Sequence, residues 1–429
     1  MMTARKTNLV ARLSAGVKLC NLPRNMRQFR LAQSFAPHVI IPTREPLTPR
    51  PGRHAYQEAH RARLRCAAYF PNRSSSVQPL TGAFAASGNY VANGAKIAAD
   101  EINAKGGVLG KKLELVIEDN KSNPTEAAAV AEKLIVRDKV PVMMGAWGSG
   151  FTLAIMPKLM EYKVPMLVET SSAGKITTSG NPYIFRISPP SAVEATAFAK
   201  IVDRLKIGKA DFLVVNNDWG RGAAEDFGKM FKEHNIKVGL VETMDPPAQD
   251  MSAQLAKVKA SDADTLIVTT AVEQLTLIFK QAAALGLKKR IITTGGSQNP
   301  DQLIEQAGAA ANDTAHITFF TPWNPNVSAD PAMAKAFIEE WKKRGYPFAG
   351  LTESFRGYDG IRTIAAAITK AGKAEPEAIR AALWQIELPG MNGKIKFEKA
   401  GPAGQESGQS NPGIYLIKIE NGKVVLPNA

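Results

Sequence analysis

Apolar and polar positions fall along most of this chain in two kinds of run. Short apolar runs, among them Pro141-Val142-Met143-Met144, Val164-Pro165-Met166-Leu167-Val168 and Phe212-Leu213-Val214-Val215, have strand length; between them lie longer segments with an apolar face at helical spacing. After Pro79, residues 80–88 read as a loop and 89–104 as a helix whose face carries Val91, Ala95, Ile97, Ala98 and Ile102, stopped at Gly106-Gly107. Residues 113–117 form a strand, and Asn123-Pro124-Thr125-Glu126 opens the next helix with a cap, a proline at the first position and an acid at the third.

The second half repeats the scheme. Ser191-Ala192-Val193-Glu194 spells a capping box, and strand 212–215 ends at Asn216-Asn217-Asp218-Trp219-Gly220. Helices at 223–234, 250–260 and 274–285 then alternate with strands at 238–242, 265–269, 291–294 and 317–320. Such alternation predicts parallel sheets covered by helices on both faces, and the number of units predicts two doubly wound α/β lobes rather than one sheet. After helices 358–371 and 377–385, residues 393–397 and 414–419 alternate like antiparallel strands on either side of a flexible loop, 401–412, and Glu420-Asn421-Gly422-Lys423 is a hairpin turn.

Charge changes this picture only at the N-terminus. Of the net +15 carried by 429 residues, +12 lies in residues 1–75, where 14 Lys+Arg face only Glu45 and Glu58. The remainder is nearly neutral, which argues against a nucleic-acid partner. Residues 1–75 are Arg-rich, broken by prolines and without a sustained period, and read as a disordered segment. Arg5-Lys6 is followed by only a brief apolar stretch before Arg12, so no clear signal peptide is legible there, and no run anywhere reaches the length of a membrane span. Cys20 and Cys66 lie in the same segment, which removes thiolate chemistry and Cys-based metal sites from the body.

The candidate chemistry concentrates in residues 145–172. Two strands, each ending in a hydroxyl-bearing turn, flank one helix: Gly145-Ala146-Trp147-Gly148-Ser149-Gly150 after the first and Glu169-Thr170-Ser171-Ser172 after the second. Ser149 stands where it could cap the helix from Gly150 and also donate to an anion, and the C-terminal edge of such sheets is where helix N-termini present free N–H groups. Trp147 and Trp219 sit in turns where an aromatic could cover an apolar ligand. Catalytic signatures fail: Ser172-Ala173-Gly174-Lys175 lacks its partner motifs, and Gly106 to Lys111 has the wrong spacing for a phosphate loop. His234 and His316 are too isolated for a metal site. The expectation is a binding protein without enzyme activity, metal or cofactor.

Leu80-Thr81-Gly82 with Ser87-Gly88, Asn93-Gly94-Ala95, the run from Glu101-Ile102-Asn103 through Gly110-Lys111, Val164-Pro165, Thr170-Ser171-Ser172 and Tyr358-Asp359-Gly360 together resemble the branched-chain amino acid type of periplasmic solute-binding protein. The resemblance covers roughly residues 79–429. It implies a type I periplasmic binding fold, two lobes joined by three crossover hinges, with lobe 1 at 76–191 plus 320–387 and lobe 2 at 192–319 plus 388–429. It implies a monomer in the periplasm, without stable membrane insertion, that captures a small carboxylate-bearing solute and presents it to the permease and ATPase of an ABC importer. A cytosolic ligand-sensing regulator of the same fold is the alternative. Position by position, the carboxylate clamp falls on Ser149, Thr170 and Ser172, the first-loop contact on Ser87 and the aromatic lid of the second lobe on Trp219; Trp147, Gly150, Ser171, Ala271 and Gly296 complete the candidate ligand-binding residues. The acid that holds a ligand's ammonium in amino-acid binders has no counterpart in Thr294-Gly295-Gly296-Ser297, though Glu273 and Asp218 could substitute. Such proteins also begin with an apolar strand, and here Ser74-Ser75-Ser76-Val77-Gln78 is a poor one, so the first lobe is expected to lack a central strand.

Overall fold

The structure, a computed structural model, describes residues 72–426. Strands β1 (Asn72–Gln78), β2 (Leu113–Asp119), β3 (Met143–Gly145), β4 (Met166–Val168) and β5 (Ile184–Arg186) build a first sheet. A second sheet holds β6 (Lys209–Val215), β7 (Lys237–Met244), β8 (Thr265–Thr269), β9 (Arg290–Thr293) and β10 (Thr314–Thr318). The hairpin β11 (Glu387–Gly390) and β12 (Gly393–Lys396) follows; β13 (Glu398–Ala400) and β14 (Ser407–Gln409) return to the first sheet, and β15 (Tyr415–Glu420) and β16 (Lys423–Val425) complete the second. The orders are β13-β14-β5-β4-β3-β1-β2 and β16-β15-β10-β9-β8-β6-β7, so two α/β lobes of the same build are joined after β5, after β10 and after β14. Parallel pairing dominates both sheets, and the apolar runs of β3, β4, β8 and β9 lie buried in their interiors.

The expected gap in the first lobe is filled. β1 lies between β2 and β3, parallel to both, with Ser74, Ser75 and Ser76 fully buried. A serine run carries no apolar signal, yet main-chain pairing on both edges and the single apolar anchor Val77 suffice to make it a strand. The proposed 75/76 boundary therefore falls inside this strand. The second boundary also moves: 398–400 and 407–409 belong to the first sheet, so lobe 1 extends beyond 387, and the loop expected at 401–412 contains β14. β14 is Ser-Gly-Gln, legible only by its partner β5.

Helix Leu351–Ala371 packs along helix Ala85–Ala104. At Gly357 an added Cβ would stand 2.0 Å from the Val91 carbonyl oxygen, so the contact needs glycine. This close packing brings Glu353 and Arg356 to the junction of the lobes. Residues 1–71, expected to be disordered, lie outside the described residues.

Candidate functional site

The two hydroxyl turns leave β3 and β4 side by side and are tied together. Ser171 Oγ donates to the Ala146 carbonyl at 2.6 Å and lies 2.9 Å from Thr152 Oγ1, which also accepts from the Ala146 N–H. Ser171 is thus committed to holding one turn against the other. Beneath the second turn, fully buried Arg186 donates to the carbonyls of Ser171 and Ala173 and to Gln409 and Thr177. Burial pushes its guanidinium down to about 9, and these four acceptors offset the cost of burying the cation.

Ser149 does not cap its helix. The helix runs Ser149–Tyr162 with Gly148 at the cap, and Ser149 Oγ accepts from the Ala173 N–H at 3.1 Å. A hydroxyl that accepts from the backbone keeps its own proton to donate. Ser149, Thr170, Ser171 and Ser172 line one small, tightly packed cavity with Trp147, Gly148, Trp219, Gly295 and Ser297.

The cover comes from the other lobe. Asn217 caps helix Asp218–Glu233 through the Gly220 N–H, which fixes Trp219 in the first turn. Trp219 packs closely against Gly295, where a Cβ would stand 2.4 Å from its Cζ2, and meets Trp147 edge-on. Trp147 is backed by Phe84 at 4.9 Å.

Six of the ten site residues expected from the sequence thus line one cavity: Trp147, Ser149, Thr170, Ser171, Ser172 and Trp219. Ser87, Gly150, Ala271 and Gly296 do not line it. Ser87 is buried with no hydrogen-bond partner for its hydroxyl among the described residues; Ala271 caps helix Val272–Ala284; Gly150 faces Asp218; and the Gly296 carbonyl accepts from Arg356.

Several residues carry weight without a local signal. The Ser191–Glu194 capping box does not form: Pro190 takes the cap position, and Glu194 Oε1 instead accepts from the Gly295 N–H at 2.6 Å, fixing the loop under the lid. Burial pushes this carboxyl up to about 7. Arg356 reaches from the first lobe to the Gly296 carbonyl of the second at 2.8 Å and pairs with buried Glu353 at 3.1 Å. Glu273 and Asp218, the two acids able to substitute for a missing one, lie apart: Asp218 beside Gly150, Glu273 against the Ala86 N–H of the first lobe. His316 is a buried neutral side chain between Thr293 and Thr314, pushed down to about 3 by burial.

A family model described as periplasmic binding protein matches residues 76–423. The chain belongs to that family. It is 30% identical over 354 residues to the Leu/Ile/Val-binding protein BraC3 of Rhizobium johnstonii, covering 81% of this chain and 92% of the relative. The crystal structure of LivJ, the branched-chain amino acid transporter substrate-binding protein of Streptococcus pneumoniae, in complex with isoleucine, superposes with a TM-score of 0.71 at 27% identity, covering 83% of this chain and all of LivJ (100%). An R. palustris solute-binding protein in complex with 4-hydroxybenzoate shares the fold, with a TM-score of 0.71 at 24% identity over 84% of this chain and 96% of that one. Among the described residues no helix is long and apolar enough to cross a membrane.

Proposed function

We propose that this protein is the extracytoplasmic solute-binding component of an ABC importer, taking a small carboxylate-bearing solute with a branched aliphatic or aromatic body and working by hinge closure in the periplasm. The observation that carries this reading is the pairing of Ser149, Thr170 and Ser172 hydroxyls on one lobe with the Trp219 ring of the other around a single cavity. The hydroxyls and the N-terminal turn of helix Ser149–Tyr162 suit a carboxylate, and the two indoles suit an apolar body. Relatives named for branched-chain amino acids and a fold neighbour holding an aromatic acid support the same two solute classes. Because a solute shifts the lobes only by its differential affinity for the closed form, capture and presentation to the permease are one event. A thermal-shift screen of amino acids, aromatic acids and short-chain acids on the full chain tests this. A solute at about 100 times its dissociation constant adds about 2.7 kcal/mol of stability, and stabilisation by uncharged compounds alone would remove the carboxylate.

A further inference from the structure

The segment after β9 carries one wall of the solute cavity, through Gly295 and Ser297, and is fastened from both lobes. Within its own lobe, Glu194 accepts from the Gly295 N–H at 2.6 Å. The other fastenings come from the first lobe. Arg356, on helix Leu351–Ala371, donates to the Gly296 carbonyl at 2.8 Å, and one turn earlier on the same helix the Thr352 hydroxyl donates to Asn299 Oδ1 at 2.7 Å. Tyr90, on helix Ala85–Ala104, donates to Gln302 Oε1 at 3.3 Å. Thr352, Arg356, Asn299 and Gln302 are all buried.

Glycines make room for two of these donors. A Cβ at Gly296 would stand 2.7 Å from Arg356 Nη2, and one at Gly350 would stand 2.4 Å from Tyr90 Cδ1. Gly296, expected from the sequence as a solute contact, thus serves the approach of Arg356. The guanidinium is in turn held between the Phe319 and Phe355 rings, 5.2 and 5.8 Å from their centroids, and by Glu353 at 3.1 Å.

None of the three donors lines the solute cavity. We propose that Tyr90, Thr352 and Arg356 form a latch that holds segment 295–302 of the second lobe against the first, setting the balance of closed and open forms and, through it, the affinity for any solute. The inference rests on the hinge-closure reading above, but not on the identity of the solute. With the lobes apart, Asn299 Oδ1 and Gln302 Oε1 meet water; with the lobes together, they depend on the hydroxyls of the first lobe. Loss of a hydroxyl therefore penalises the closed form alone. Because apparent affinity scales with the fraction of binding-competent form, the latch acts on every solute alike.

Arg356 is a poor probe, since its removal would strand buried Glu353. Thr352→Val combined with Tyr90→Phe removes two hydroxyls and keeps the shape of both side chains. Thr363→Val is the control, because that hydroxyl is buried on the same helix but bonds to the Asp359 carbonyl within it. Pulsed electron-spin distances are measured on the full chain without added solute, with Cys20→Ser and Cys66→Ser and with labels at Lys121→Cys of the first lobe and Gln249→Cys of the second, both exposed. The parent chain is expected to show a short and a long distance. The double variant should lower the short-to-long ratio by at least about tenfold, and Thr363→Val should leave it unchanged. An unchanged ratio in the double variant, an equal fall in Thr363→Val, or no short distance in the parent would overturn the proposal. A single distance common to all three chains would remove hinge closure as well, whereas a solute screen that returned no carboxylate leaves these ratios as they stand.

Discussion

The indole of Trp219 meets the indole of Trp147 edge-on, with ring centroids 5.8 Å apart and planes at 79°. One ring belongs to each lobe, so the contact bridges the two. Replacing Trp219 with Ala removes the cover and the aromatic pair, itself contributing about 0.5 to 1.5 kcal/mol beyond burial. Solute affinity in calorimetry is expected to fall by about tenfold or more, and the midpoint temperature of the solute-free protein to fall as well, because the ring is buried.

Ser149→Ala tests the clamp, at some cost in stability because the Ala173 N–H loses its acceptor. The hydroxyl's bond to a carboxylate contributes about 1.5 to 3 kcal/mol, so the dissociation constant is expected to rise by about tenfold or more. Unaltered affinity would take Ser149 out of the site. Ser171→Ala should act differently, because its hydroxyl ties the Ala146 carbonyl rather than facing outward. Its expected effect is a stability loss of about 1 kcal/mol in denaturant titration.

Gly295 carries the lid from below. Its φ of +87° and the 2.4 Å approach of Trp219 leave no room for a methyl group. Gly295→Ala is expected to cost about 1 to 3 kcal/mol of stability through backbone strain and displacement of the ring, and to weaken solute binding with it. Denaturant midpoints and calorimetry on one preparation check both.

Stability against pH should peak on the acid side. Glu169 and Glu194, each pushed up to about 7, contribute stability that is complete below their ordinary value of 4.5 and is lost as pH rises toward 7. His316, pushed down to about 3, acts in the opposite sense, losing its contribution as pH falls from 6.5 toward 3. Two carboxylates against one imidazole place the maximum at about pH 5, with a decline of up to about 1.4 kcal/mol per pH unit per group above it. Glu194→Gln should flatten that decline in thermal melts; a melt with its maximum at pH 8 would contradict the assignment.

The serine strand offers a test of its own. Ser75 Oγ is buried and has no hydrogen-bond partner among the described residues. Ser75→Ala removes the unmatched hydroxyl and is expected to raise unfolding free energy by about 1 kcal/mol.

The chain's own pattern of apolar runs and helical faces determined the two α/β lobes, the turns after β3 and β4, and the position of Trp219. These are local properties: a strand buried on both faces must be apolar throughout, and a turn must carry its own polar residues. It was silent on β1 and β14, whose residues are small and polar and become strands only because neighbouring strands pair with them. It misread Ser149 and the Ser191–Glu194 box as caps, because a side chain that can bond locally can also bond a distant N–H, and spacing does not distinguish the two. Only the tertiary structure decided the junction of the lobes. Glu194 and the Glu353–Arg356 pair come from separate segments of the chain, and their burial carries no local signal. Their meaning lies in being buried together, and burial of a charge depends on everything packed around it.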